Sequence, residues 1–331
     1  MTLTQWGELS NLAFASATVV YVLAFVAHTA EWAMARQVGS DAATQRQPEL
    51  VGAAGAERSD ALATPRLDRA AATRDEQVVD RWDLFGRIGL SLTVLAFGIH
   101  LVGVLARGLA AERVPWGNMF EFNTTGALTV AGAYLVAARI FRLRWIGLLV
   151  TGFVSVVLAI SMLVPAMYVA PGPLVPALHS YWLVIHVAAA AISGGAFAVG
   201  AATSVLFLIR QRAEARGRVS GVWTRMPGTA YLDRVAFRVH AFAFPLWTFA
   251  VLVAGPIWAQ YAWGRYWGWD PKEIWAFITF VVYAAYLHAR ATAGWQGRRA
   301  AYLALAAFAT FLFNYVGINL FASGLHSYAG V

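Results

Sequence analysis

Eight apolar stretches, each near the length of a bilayer crossing, divide the chain: 11–34, 87–109, 122–140, 144–165, 182–209, 236–257, 274–292 and 300–321. A helix needs about 20 apolar residues to span the hydrocarbon core. The runs are continuous rather than alternating, which predicts helices and not the strands of a transmembrane barrel. Lipid offers the backbone no water, so each segment must satisfy its own hydrogen bonds. The pattern therefore predicts an all-α fold, a polytopic membrane helix bundle of about eight transmembrane helices.

The polar positions between these runs set the expected orientation. Arg139, Arg142 and Arg144 fall in the loop 139–144. Arg210, Arg212, Arg216, Arg218, Arg225 and Arg234 fall in 210–234, and Arg290, Arg298 and Arg299 in 290–299. Basic loops stay in the cytoplasm. The connections 110–121, 166–181 and 258–273 and the tail 322–331 then face outward, with both termini extracytoplasmic. The segment 35–81 is rich in Ala, Arg, Asp, Glu and Gln and lacks periodicity. It reads as a cytoplasmic, largely disordered or loosely helical linker. It separates a first transmembrane helix, 1–34, from a transmembrane core, 82–331, whose outward loop 258–273 is rich in tryptophan.

Composition narrows the class further. Apolar residues make up 60% of the chain and charged residues 13%, which excludes an ordinary soluble domain. The net charge of +8 is accounted for by loop arginines, so no nucleic-acid partner is expected. The absence of cysteine excludes disulfides, thiolate metal sites and thiol redox chemistry. The start, MTLTQWGELS, has no basic n-region, and no cleavable signal peptide is expected.

The richest chemistry lies in Trp258 to Trp275, WAQYAWGRYWGWDPKEIW, which holds five tryptophans and the sole lysine. Part of it is a helix start: Asp270 as N-cap, Pro271 first in the helix, Glu273 third. Tryptophan also gathers at membrane interfaces with no ligand involved. Neither reading explains Trp263, Trp267 and Trp269 spaced by Gly264 and Gly268. Such a cluster can form a shelf for a planar group, with glycines permitting close backbone approach.

Seven histidines sort into two layers under this topology. His179, His186 and His326 lie near the outer surface; His28, His240 and His288 lie toward the cytoplasmic ends of their helices. His100 falls near mid-membrane. A lone membrane histidine is often a neutral core residue bonded to one carbonyl, and this suffices for His28, His100 and His240. His288 stands apart. It lies 15 residues after Glu273, roughly 22 Å down the helix that starts at the tryptophan loop. His186 and His326 can approach that loop from either side, and neutral imidazole is an axial ligand for haem iron. His179, seven residues before His186, competes with it for that place.

At these residues the chain resembles a known family. The run WGRYWGWDPKEIWAFITFVVYAAYLH at 263–288 is similar to the tryptophan-rich signature of the haem-handling proteins of cytochrome c biogenesis. The nearer likeness is to the CcsA/ResC branch, the integral-membrane half of the System II cytochrome c synthase. PWGNMFEF at 115–122 resembles that branch's Pro-x-x-Asn-x-x-Glu loop, and SYWLVIHV at 180–187 and GLHSYAG at 324–330 resemble its histidine contexts. The likeness covers residues 85 to 331.

The resemblance implies a function for each of these parts. His186 and His326 would be outer axial ligands of haem b carried as substrate, over a shelf of Trp263, Trp267, Trp269 and Asp270. His288 would be a membrane-embedded iron ligand on the way in from the cytoplasm, its mate supplied by a CcsB/ResB-type membrane protein. The activity would be haem delivery across the bacterial cytoplasmic membrane and attachment, as a synthase subunit, to an apocytochrome c bearing Cys-x-x-Cys-His. The alternatives are a haem chaperone or lyase of the System I branch, a b-type electron-transfer cytochrome, and a transporter of another solute. Each buried histidine stands alone on its helix, against the b-type cytochrome; no inverted repeat favours the transporter.

Overall fold

The computed structural model describes residues 1–45, 64–217, 223 and 226–326, with side chains outside 35–45 and 64–80. Residues 46–63 of the expected linker, Arg218 and Arg225, and Ser327 to Val331 lie outside the described residues. Every regular element among those described is helical. Helix α1 spans Leu3–Gln45 and α2 spans Thr64–Ala111, so regular helix runs into the linker from both sides. Then come α3 (Met119–Ile140), α4 (Gly147–Leu163) and α5 (Tyr181–Ala215). Helix α6 (Thr229–Phe249) continues through a π-helical turn, Ala250–Ala254, into α7 (Gly255–Trp263). Helix α8 (Pro271–Ala291) is followed by α9 (Arg298–Leu312), a second π-helical turn (Phe313–Gly317) and the short α10 (Ile318–Phe321).

Seven helical runs among the described residues are long and apolar enough to cross a membrane. They correspond to all the expected crossings but the third. That one is α3, a helix of crossing length that buries Glu121, Asn123, Thr124 and Thr125 within the bundle. Its polarity is satisfied by neighbours rather than exposed to lipid, which explains why it falls short on apolarity alone. The chain is thus a multi-pass membrane bundle, and side chains such as Leu12, Val19, Leu23 and Val26 are exposed on its flank.

Helices α1 and α2 pair closely, and α1 also packs on α4. Helix α5 is the centre, touching α3, α6 and α9; 67% of its apolar window is buried, against 17% for α8. Lipid removes most of the hydrophobic force between helices, so close approach of small residues carries the packing. A Cβ on Gly195 of α5 would stand 2.6 Å from the Thr129 carbonyl oxygen of α3, so only glycine lets these two backbones meet.

The two ends of the bundle differ in chemistry. At one end Arg144 bonds Glu31 and Asp83, both at 2.9 Å, and Glu31 also holds His28 Nδ1 at 2.9 Å. Arg290 pairs with Asp233 at 2.6 Å at that same arginine-bearing end. The other end gathers the tryptophan loop, the loops before α3 and α5, the start of α1 and His326. There Asn118 caps α3 by accepting from the Glu121 N–H. The buried Glu121 carboxylate takes Arg107 at 2.9 Å, Arg113 at 2.7 Å and the Gly117 N–H at 2.7 Å. Those arginines donate onward to the carbonyls of Val169 and Gly172. The Pro-x-x-Asn-x-x-Glu segment is therefore a buried clamp that ties one loop at this end of the bundle to another.

Candidate functional site

Between α3, α5, α7, α8 and α9 lies a cavity with about 1560 Å³ of empty space, its open mouth included. Its walls are mostly apolar and aromatic, with Trp116, Trp247, Trp258, Trp263 and Trp267 among them. His186 and His326 both line it. The sequence keeps them far apart; the fold brings them to one enclosure.

Each histidine is held by its Nδ1. His186 Nδ1–H donates to the Ala250 carbonyl at 2.8 Å. That carbonyl opens the π-helical turn, where it also accepts from the Gly255 N–H. A carbonyl can only accept, so the neutral ring carries its proton on Nδ1 and its lone pair on Nε2. His326 Nδ1–H donates to Asp270 Oδ2 at 2.8 Å. A metal-binding histidine is ordinarily fixed in this way, by a second partner at its other nitrogen. Trp258 stands beside both rings: 5.9 Å from His186 and near parallel, 5.7 Å from His326 and steeply inclined. Its own Nε1–H reaches the Ala177 carbonyl at 3.0 Å, which anchors the plane to the loop before α5.

Asp270 serves two purposes at once. It caps α8 in a complete capping box, with Glu273 accepting from the Asp270 N–H at 3.1 Å and from the Gly268 N–H at 2.8 Å. It also accepts from the Leu325 N–H at 2.6 Å and from His326. Burial by itself would push its carboxyl up, but the hydrogen bonds from His326 and Leu325, the His326 charge and the Lys272 N–H outweigh it and hold it below the usual carboxylate range. Gly324 sits so close that any Cβ there would strike the Asp270 carboxylate. One carboxylate thus starts α8 and fixes the His326 ring.

The expected shelf is divided. Trp263 and Trp267 line the cavity, and Trp263 lies 5.0 Å from the His326 ring. Trp269 is 66% exposed, takes a positive φ of 58°, and packs edge-on against Trp267 from outside. The spacing glycines have local causes. Gly264 ends α7 at φ 73°, and the space a Cβ would need at Gly268 is filled by the Arg265 guanidinium. Trp258 and Trp116 escaped the sequence reading as site residues, since nothing in their spacing marks which tryptophans face inward.

The remaining histidines lie elsewhere. His179 is exposed in the loop before α5 and does not reach the cavity. His288 is exposed on the flank of α8, at the end opposite the tryptophan loop. His100 is buried against Phe14 and Tyr21, and His240 against Phe197, Tyr283 and Tyr286. Among the described residues no cluster of three or more His, Cys, Asp or Glu forms a metal cage. The cavity's donor set is instead two imidazoles and aromatic walls, which suits a metal already enclosed in a planar macrocycle.

Comparison with known proteins places this arrangement. A family described as "Cytochrome C assembly protein" matches residues 116–326, from the Trp116 wall to His326. The protein "Cytochrome c biogenesis protein CcsA" of Synechococcus sp. (strain JA-2-3B'a(2-13)) is 33% identical over 314 residues, covering 78% of this chain and 88% of that one. Its namesake in Gloeobacter violaceus is 34% identical, covering 75% and 88%. That in Picosynechococcus sp. is 35% identical, covering 73% and 87%. Among solved structures, "Cytochrome c Heme Lyase CcmF" superposes with a TM-score of 0.57 over 96% of this chain at 18% identity, a likeness of fold. This chain spans 47% of that lyase's length. With identity sustained over most of both sequences, and the family match enclosing the whole cavity, the chain belongs to the CcsA family of cytochrome c assembly proteins.

Proposed function

We propose that this protein holds haem b in the cavity beneath its tryptophan loop and presents it for covalent attachment to apocytochrome c. The observation that carries this is the pair His186 and His326, each with Nδ1 committed to an acceptor, each beside Trp258, on one aromatic cavity. His186 Nε2 is the lone pair available to one face of an iron; His326, oriented by Asp270, serves the other. Trp258 and Trp263 give the flat apolar contact that a macrocycle needs. CcsA-named relatives and the haem lyase fold support the assignment.

The tryptophan end faces outward and the arginine end faces the cytoplasm in this reading, placing the protein in the bacterial cytoplasmic membrane. Haem arrives from the cytoplasmic side. His288, exposed on α8, offers an imidazole where a second membrane protein of the CcsB/ResB type can supply the other ligand. At the outer site the client's Cys-x-x-Cys-His segment is the nucleophile. Each thiol S–H adds across one vinyl C=C, forming a C–S bond while the hydrogen passes to the neighbouring carbon, with no net oxidation. The client histidine then replaces one axial ligand. A chain without cysteine cannot compete for the vinyls.

The test is the absorption spectrum of the chain purified from haem-replete membranes, alone and with a CcsB/ResB-type partner. Sharp low-spin bands are expected, lost in His186→Gly or His326→Gly and restored by free imidazole. Colourless protein in every preparation, or bands indifferent to both substitutions, sinks the reading.

A further inference from the structure

The cavity holds a charge that iron ligation does not use. Lys272, on the first turn of α8, lines it and donates from Nζ to Asn319 Oδ1 at 2.7 Å. No carboxylate among the described residues lies within ion-pair distance of this ammonium. Asp270, two residues away, spends its oxygens on His326 and on the N–H groups of Leu325 and Lys272. Glu273 also lines the cavity, but one of its oxygens accepts two N–H groups of the helix cap. A cation in an apolar enclosure is costly unless compensated.

The wall around Lys272 is polar in a cavity that is otherwise mostly not. Asn319 and Asn314 come from the helical run after α9, and both line the same space. Asn314 is 6% exposed, yet its Oδ1 makes no hydrogen bond. A terminal amide can turn about its last torsion to present N–H instead. Tyr315, between them, is already committed to Asn123 Oδ1 at 3.0 Å. Asn319 holds the ammonium through its Oδ1 and spends its N–H groups on Met119 Sδ and the Tyr315 carbonyl. An ammonium with no ion-pair partner among the described residues, and the Asn314 amide on the same cavity, form a seat for a carboxylate.

We infer that Lys272, positioned by Asn319 and assisted by Asn314, binds a propionate carboxylate of the haem while His186 and His326 hold its iron. The inference rests on the haem reading and adds direction to it. Propionates and vinyls occupy opposite edges of the macrocycle, so fixing the acid edge against α8 and the run after α9 turns the vinyl edge away from Lys272. Asp270 bonds both His326 and the Lys272 backbone, so the iron ligand and the anion seat are positioned by one residue. Lys272 on this account orients the group on which the client thiols act.

The experiment titrates the full chain in detergent with ferric protoporphyrin IX and with its dimethyl ester, whose side chains carry no charge, reading the Soret band. Wild type should prefer the acid by roughly tenfold to a hundredfold, the usual worth of a hydrogen bond to a charged group. Lys272→Met should abolish that preference while keeping the low-spin spectrum, and Lys272→Arg should restore part of it. Equal affinity for acid and ester in wild type, or an undiminished preference in Lys272→Met, overturns the inference and leaves the haem site standing. If Lys272→Met does not fold, the wild-type comparison still decides. Wild-type protein that binds neither compound in a His186- and His326-dependent way overturns the haem reading and this inference with it.

Discussion

Asp270 shows how much one side chain can couple. It ends the tryptophan loop, starts α8 and orients His326. Substitution separates these duties. Asn is nearly as good an N-cap as Asp, whereas Ala costs about 1 kcal/mol of helix stability. Asp270→Asn should therefore unfold at a higher temperature than Asp270→Ala. It should still lose haem about ten- to hundredfold more readily than wild type, because the charged partner of the histidine is gone. Thermal unfolding and haem retention, measured on the same preparations, check both parts. The pH dependence follows from the depressed carboxyl. A group whose folded value lies below its unfolded one stabilises the fold above the unfolded value and loses that effect as pH falls through the folded value. The stability advantage of wild type over Asp270→Asn should persist at pH 5 and shrink only below about pH 4. An advantage already gone at pH 6 would contradict the assignment.

Among the elements, irregular helix does the positioning. The π-helical turn at Ala250–Ala254 offers a carbonyl to His186, and the turn at Phe313–Gly317 carries Asn314 into the cavity wall. Such π-turns are rare and tend to occur at functional sites. The loops at the tryptophan end are fixed by charge. Arg107 and Glu121 are both fully buried, with Arg113 completing the clamp. Removing one member of a buried ion pair strands the other, at roughly 3–5 kcal/mol. Glu121→Ala should lower the thermal midpoint in detergent sharply, and by more than Glu112→Ala, which removes an exposed acid from the loop before α3. Equal midpoints would show that the clamp is not structural.

For the whole molecule, the proposed direction of haem delivery fixes which end faces which compartment. A chain without cysteine is a clean background for single-cysteine labelling. Ala170 is exposed at the tryptophan end and Gln296 at the arginine end. Ala170→Cys should react with an impermeant maleimide added outside intact cells, and Gln296→Cys only after the membrane is opened. The reverse pattern would invert the topology and with it the direction of haem delivery.

The sequence by itself determined the class and the number of long helices, because about 20 apolar residues leave lipid-embedded backbone no other regular form. It also determined the capping box, which depends on residues three positions apart. Through DPKE and its flanking tryptophans and histidines it pointed to the family. Tertiary structure alone decided which aromatic and imidazole groups share a space. Trp258 and Trp116 face the cavity while Trp269 does not, and His186 lines it while His179 stays outside. Those choices depend on where α7 ends, on the π-helical turn that frees the Ala250 carbonyl and on the return of His326 to Asp270. Each is a contact between segments far apart in the chain, and no local periodicity encodes it.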